Sequence, residues 1–121
     1  MTITIREYTD PHTRLQSMGF QNRYHYLDTA MGRNAGLLSA ADQERLLHAR
    51  VAIPGLGGVG GVHLITLARM GAGGFHLADF DTFEPVNVNR QYGARIADFG
   101  HRKLDIMAAE ARQINPYLDL A

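Results

Sequence analysis

Hydrophobic and polar positions change rhythm several times along this chain. A short apolar β-favouring run, Val51-Ala-Ile-Pro54, breaks into the closely spaced glycines Gly55, Gly57, Gly58 and Gly60 and restarts as an apolar stretch to Met70. That pattern predicts a strand over Val51–Pro54 and a long helix over Gly58–Met70, closed by Gly71 where a left-handed C-cap is usual. Gly74–Ala78 reads as a second strand ending at Asp79. Leu104, Met107, Ala108, Ala111 and Ile114 recur at helical spacing, so a helix runs from Gly100 to about Asn115, where Asn115-Pro116 stops it. Leu118-Asp-Leu120 starts a third strand. Upstream, Ser39 followed by Asp42 satisfies a capping box and predicts a short helix over Ala40–His48.

The first thirty-odd residues lack such a period. Thr2-Ile-Thr-Ile-Arg6 alternates as a strand would, Asp10-Pro11 signals a turn, and a polar and aromatic mixture follows. Residues 1–32 read as a peripheral arm and residues 33–121 as a domain. Residues 81–100 are mostly polar with one proline, which suits a loop folded over a ligand. Strand, glycine turn, helix and strand in this order predict an α/β fold, a Rossmann-like doubly wound parallel sheet. Such sheets are built from about five or six strands. Only two complete ones are legible in this chain, so the domain reads as truncated.

Composition narrows the class of protein. Twelve basic residues offset twelve acidic ones, 45% of the chain is hydrophobic, and no Lys/Arg block or bilayer-length apolar span stands out. A disordered tail, a nucleic-acid binder and a membrane protein are therefore not expected. No secretory or transit signal is evident at the start, so the cytoplasm is the expected location. The absence of cysteine excludes disulfides, thiolate metal sites and thioester chemistry within these residues. The six histidines have no ligand-like spacing, and His63 and His76 read as packed or surface residues. No metal ligand is assigned.

The chemistry concentrates after the first strand. Closely spaced glycines between a strand and a helix make a phosphate site, because they permit a tight turn and close backbone approach while the helix aims its N-terminal amides at the anion. Asp79, about twenty residues beyond the glycines, stands where a carboxylate accepts hydrogen bonds from ribose hydroxyls, as in dinucleotide sites; a plain strand-end turn acid is the alternative. Asp81 points the same way if extension continues, either to touch ligand or metal or to shape the loop. Arg90, between Asn89 and Gln91, has the planar fork that binds phosphate oxygens bidentately. Lys103, in the first turn of a helix, works against the helix dipole, which hints at a compensating anion.

Together, Gly55-Leu-Gly-Gly-Val-Gly60, Asp79-Phe-Asp81, Asn87-Val-Asn-Arg-Gln91, the Gly100-His-Arg-Lys103 spacing and Ile114-Asn-Pro116 resemble the ThiF/MoeB/HesA adenylating enzymes, bacterial relatives of ubiquitin-activating enzymes. The resemblance covers the chain from about Arg33 onward and matches the N-terminal part of the family's domain. It implies an ATP site in which Gly55, Gly57, Gly58 and Gly60 hold phosphates, Asp79 holds the ribose, and Asn87, Arg90, Gln91 and Lys103 surround the phosphate chain. It further implies a magnesium-dependent adenylation of a carboxylate, usually the C-terminal glycine of a ubiquitin-like or sulfur-carrier protein, by a homodimer that releases pyrophosphate. Arg33, in Arg33-Asn34-x-Gly36-Leu37, stands where family members carry an arginine that reaches across the dimer to the partner's ATP; an ordinary salt-bridging arginine is the other reading. On this resemblance Arg90, Lys103 and Arg33 are the catalytic cations.

Other features depart from the family or lie outside the match. The family's magnesium-binding acid, any relay cysteine and the surface for the protein substrate fall beyond Ala121, so the chain by itself is expected to be inactive. Pro54 removes a backbone donor at a strand end. Two rival readings remain: an NAD-linked oxidoreductase, which shares the glycine turn and Asp79 but has no need of Asn87-Val-Asn-Arg-Gln91, and a non-catalytic binding or dimerisation module of the same fold.

Overall fold

The computed structural model describes residues 10–121. The alternating run Thr2–Arg6 lies outside them. The elements in chain order are α1 (Pro11–Ser17), α2 (Arg23–Ala30), α3 (Ala40–His48), β1 (Arg50–Pro54), α4 (Gly60–Met70), β2 (Gly74–Ala78), α5 (Lys103–Ile114) and β3 (Asp119–Leu120). The three strands form a parallel sheet in the order β1-β2-β3, with Arg50 opposite Gly74, Pro54 opposite Ala78, and Phe75 opposite Leu120. This is the expected α/β architecture, with β1 on one edge. Among the described residues no helix is long and apolar enough to cross a membrane.

Helices α4 and α5 pack on each other and on the sheet through one apolar core. Leu64 and Ala68 of α4, Met107 and Ala111 of α5, and Phe75 of β2 are fully enclosed, joined by Phe83 from the following loop. The stripe read from the sequence thus faces inward, with Leu104, Ala108 and Ile114 partly buried at its margins. α5 begins at Lys103 rather than Gly100. Gly100 has φ +85, and residues 100–102 instead run antiparallel to 82–83: Gly100 N donates to Phe83 O at 2.9 Å and Phe83 N to His101 O at 3.0 Å. α4 likewise starts two residues later than expected, at Gly60, and ends as expected on Gly71, at φ +102.

The arm is helical where the sequence suggested a turn and irregular chain. Asp10 is the N-cap of α1, its carboxylate accepting from Thr13 N at 3.0 Å, and Pro11 is the first helical residue, a position proline favours. Asn22 caps α2 in the same way through His25 N. Neither helix has an apolar stripe, since α1 buries nothing and α2 buries only Leu27, so periodicity carried no signal. The arm is nevertheless fastened to the domain. Tyr26 donates its hydroxyl to Ile114 O at 2.6 Å, satisfying a terminal carbonyl of α5, and its ring lies beside Tyr117. Asn34 donates to Gln43 Oε1 at 2.9 Å, and Gln43 donates on to Met70 O at 2.9 Å, tying the segment after α2 to α3 and the end of α4.

Pro54 fits because of where β1 lies. Gly55 N donates to Ala78 O of β2 at 2.7 Å. Successive N–H groups along a strand alternate sides, so the missing donor of Pro54 faces away from β2, and the β1–β2 ladder loses nothing.

Candidate nucleotide site

Parallel strands place their carboxyl ends together, and the glycine turn after β1 and Asp79 after β2 consequently share one edge of the sheet. Gly55 leaves β1 with φ +100, a conformation an L side chain rarely adopts. At Gly60 the constraint is proximity: a Cβ there would lie 1.7 Å from Gly55 O and 3.0 Å from Ile53 Cγ2. The helix therefore starts directly against the strand it follows. No side chain caps α4; Gly61 N donates to Gly57 O at 3.2 Å, which leaves the amides of Gly60 and Val62 to face an anion.

The polar loop folds over this turn. A Cβ on Gly57 would come within 3.3 Å of Gln91 Nε2, and one on Gly58 within 3.4 Å of Arg90 O. Gln91 is buried, and its Oε1 has no hydrogen-bond partner. Asn87 shapes the segment: its Oδ1 accepts from Glu84 N at 2.8 Å, and its carbonyl accepts from Arg90 N at 3.2 Å and Gln91 N at 3.0 Å. Arg90 is exposed, its Nη1 donating to Val86 O at 3.0 Å and Asn89 Oδ1 at 3.1 Å, with no carboxylate partner among the described residues.

Next to Asn87 lies a polar cavity of about 210 Å³, lined by Asp81, Thr82, Glu84, Asn87 and Lys103. Lys103 is 6% exposed, with Nζ 3.9 Å from Asp81 Oδ2 and 5.8 Å from the centre of the Phe83 ring. A buried ammonium whose nearest carboxylate is itself largely in solvent is incompletely compensated, and such a group favours an incoming anion. Asp79 is half-buried and accepts two hydrogen bonds, Leu56 N to Oδ2 and Asp81 N to Oδ1, each at 2.8 Å. Among the described residues no group of three or more His, Asp or Glu side chains could hold a metal ion.

Arg33 stands apart from this group. It lies exposed in a 3-10 turn, Gly32–Asn34, and makes no hydrogen bond or ion pair among the described residues. Its neighbour Asn34 reaches Met70 O, at the far end of α4 from the glycine turn. Eleven residues of helix at ~1.5 Å each separate the two ends. Within one chain, Arg33 is remote from the phosphate turn.

A sequence profile matches over residues 31–121, and it is that of the ThiF family. The chain belongs to the ThiF family. As a ThiF-family chain it is 39% identical over 84 residues to the tRNA threonylcarbamoyladenosine dehydratase of Bacillus subtilis, which covers 69% of this chain and 33% of that protein. It is 36% identical over 81 residues to the probable adenylyltransferase/sulfurtransferase MoeZ of Mycobacterium tuberculosis, covering 67% of this chain and 21% of MoeZ. The crystal structure of the E. coli tRNA N6-threonylcarbamoyladenosine dehydratase in complex with ATP superposes with a TM-score of 0.77 at 32% identity, over 79% of this chain and 40% of that one. The chain thus spans about a third of the length of the Bacillus relative. These likenesses establish the Rossmann-like fold of the family, whose members here include a probable adenylyltransferase and a dehydratase solved with ATP.

Several residues of the site were not among those the sequence singled out. Thr82 and Glu84 line the Lys103 cavity. Glu84 had a local signal, since Glu84-Pro-Val-Asn87 has the spacing by which a side chain at the third position reaches back to a turn's first amide. Leu56 contributes through its backbone N–H alone, which no residue-type pattern reveals.

Proposed function

We propose that the protein binds ATP at the glycine turn and transfers its adenylyl group to a carboxylate, with pyrophosphate as the leaving group. The observation that carries this reading is the convergence on one sheet edge of the turn, Asp79, Gln91 and the incompletely paired Lys103. The cradle fits a nucleotide in two respects: Gly60 leaves no room for a side chain where the backbone must turn, and buried Gln91 Oε1 lacks a partner. The ATP-bound relative of the same fold supports the choice of nucleotide.

The chemistry asks little of the chain. A substrate carboxylate is ionised at neutral pH, and one of its oxygens attacks the α-phosphorus without a general base. The bond from that phosphorus to the bridging oxygen breaks, and pyrophosphate takes the electron pair. The protein has to hold the two reactants in line and offset charge on the leaving group, which is the part of Arg90 and Lys103. Asn87 and Gln91 complete the phosphate surroundings, Asp79 takes the ribose, and Asp81 stays beside Lys103. Magnesium bound with the nucleotide would offset further phosphate charge, with Asp81 the carboxylate of this chain beside the Lys103 cavity. Arg33 acts in trans in this reading, reaching the nucleotide of a second subunit in a homodimer.

The acceptor we favour is the C-terminal glycine of a ubiquitin-like or sulfur-carrier protein, supported by relatives named as sulfurtransferases and as a ubiquitin-like modifier-activating enzyme. The dehydratase relatives favour a second acceptor, a carboxylate on a tRNA nucleoside, whose activation by ATP permits loss of water. An ATP–pyrophosphate exchange assay of the complete protein with carrier protein or with tRNA separates these two. In the same assay, Arg90→Ala and Lys103→Ala are expected to lower the rate by about 10²–10³, with a smaller effect on ATP affinity. Unchanged rates in both variants would remove these cations from the mechanism.

A further inference from the structure

Both oxygens of the Asp79 carboxylate are already engaged by the chain. Oδ2 accepts from Leu56 N and Oδ1 from Asp81 N, each at 2.8 Å. Leu56 sits inside the glycine turn and is 1% exposed. Asp81 in turn accepts from Lys103 N at 2.9 Å through its carbonyl, and its carboxylate lies 3.9 Å from Lys103 Nζ. One side chain therefore joins the phosphate turn that follows β1 to the buried cation at the head of α5.

We propose that Asp79 is a positioning residue for the phosphate end of the site, holding the glycine turn and Lys103 in register, in addition to its ribose contact. The turn has few side chains of its own to fix it. Gly55 is anchored through its amide to Ala78 O, and the next amide, Leu56 N, is held by Asp79. Removing the carboxylate would strand a buried N–H, and a stranded buried donor costs more than the mean worth of a hydrogen bond, so the turn would shift to recover a partner. The two roles are compatible. An ionised carboxylate offers about four lone-pair sites, and the backbone uses two of them.

This inference rests on the adenylating reading for its ligand but not for its geometry, and the test separates the two. Inorganic tripolyphosphate with magnesium, which has no ribose, is titrated calorimetrically against the protein and its Asp79→Ala variant, alongside ATP. Amide hydrogen exchange at Leu56 is measured in the ligand-free proteins. The expected result is tripolyphosphate binding weakened about tenfold or more in Asp79→Ala, together with faster exchange at Leu56. Tripolyphosphate binding equal to that of the unaltered protein, with only ATP weakened, would reduce Asp79 to a ribose ligand and overturn the proposal, as would unchanged Leu56 exchange. If Asp79→Ala does not fold, Asp79→Asn replaces it, and since the carboxamide nitrogen cannot accept, it serves one of the two N–H groups less well. Weakened tripolyphosphate binding with faster exchange at Leu56 then supports the proposal, and unchanged tripolyphosphate binding or unchanged Leu56 exchange overturns it. A protein that binds neither ATP nor tripolyphosphate defeats the adenylating reading, while the exchange comparison still decides whether Asp79 braces the turn.

Discussion

Gly60 shows how tightly the turn is built. A Cβ at this position would overlap the Gly55 carbonyl, a backbone atom that cannot swing aside as a side-chain end could. Gly60→Ala is therefore expected to push α4 off β1, at a cost of about 1–3 kcal/mol in unfolding free energy, and to abolish ATP binding. Chemical denaturation and calorimetry check the two parts, and an alanine variant that binds normally would show that the turn tolerates displacement. The glycines were legible in the sequence because their requirement is on the backbone, where few residue types suffice. Lys103 was legible through its conflict with the helix dipole, and its burial beside Asp81 supplies the physical context. The double engagement of Asp79 was not, since one of its two partners is an amide 23 residues away. The trans role of Arg33 remains a proposal, resting on its exposed position at the far end of α4.

Among the elements, α3 is specified by its first residues. Ser39 accepts from Asp42 N at 3.1 Å and donates to the Asp42 carboxylate at 2.8 Å. Since α3 buries no residue fully, little packing would make up for loss of the cap. Ser39→Ala should cost about 1 kcal/mol in unfolding free energy, read as a shift in denaturant midpoint; a shift near zero would mean that contacts such as Gln43 to Met70 O hold the helix unaided. α3 and β2 were legible to the residue because cap, apolar pattern and boundary all agreed. The arm helices were not, because they rest on caps and a few fastenings such as Tyr26 to Ile114 O without a repeating apolar face. At α5 the apolar stripe was legible, while its start was obscured by residues 100–102, whose pairing with 82–83 depends on the tertiary fold.

At the scale of the whole molecule, a three-stranded sheet leaves apolar surface in contact with water. Val59 and Val62 at the head of α4, Phe80 at 98% exposure and Ile96 at 85% lie around the nucleotide edge and the loop over it. β1 also has a sheet neighbour on one side only among the described residues. The 121-residue chain is accordingly expected to associate at micromolar concentration; sedimentation velocity showing a folded monomer there would contradict this. The alternation of strand and helix made the parallel direction of the strands legible, because parallel strands need helical crossovers. What covers its open side depends on contacts that local patterns do not encode. Pro54 sets a condition on any such cover. A strand laid along the open edge of β1 would find a donor at Ala52 but none at Pro54, by the alternation that sends Gly55 N to β2. The new ladder would lose its last rung on the nucleotide side, and the two backbones would be free to diverge there, opening a cleft beside the glycine turn without breaking any bond the sheet already makes.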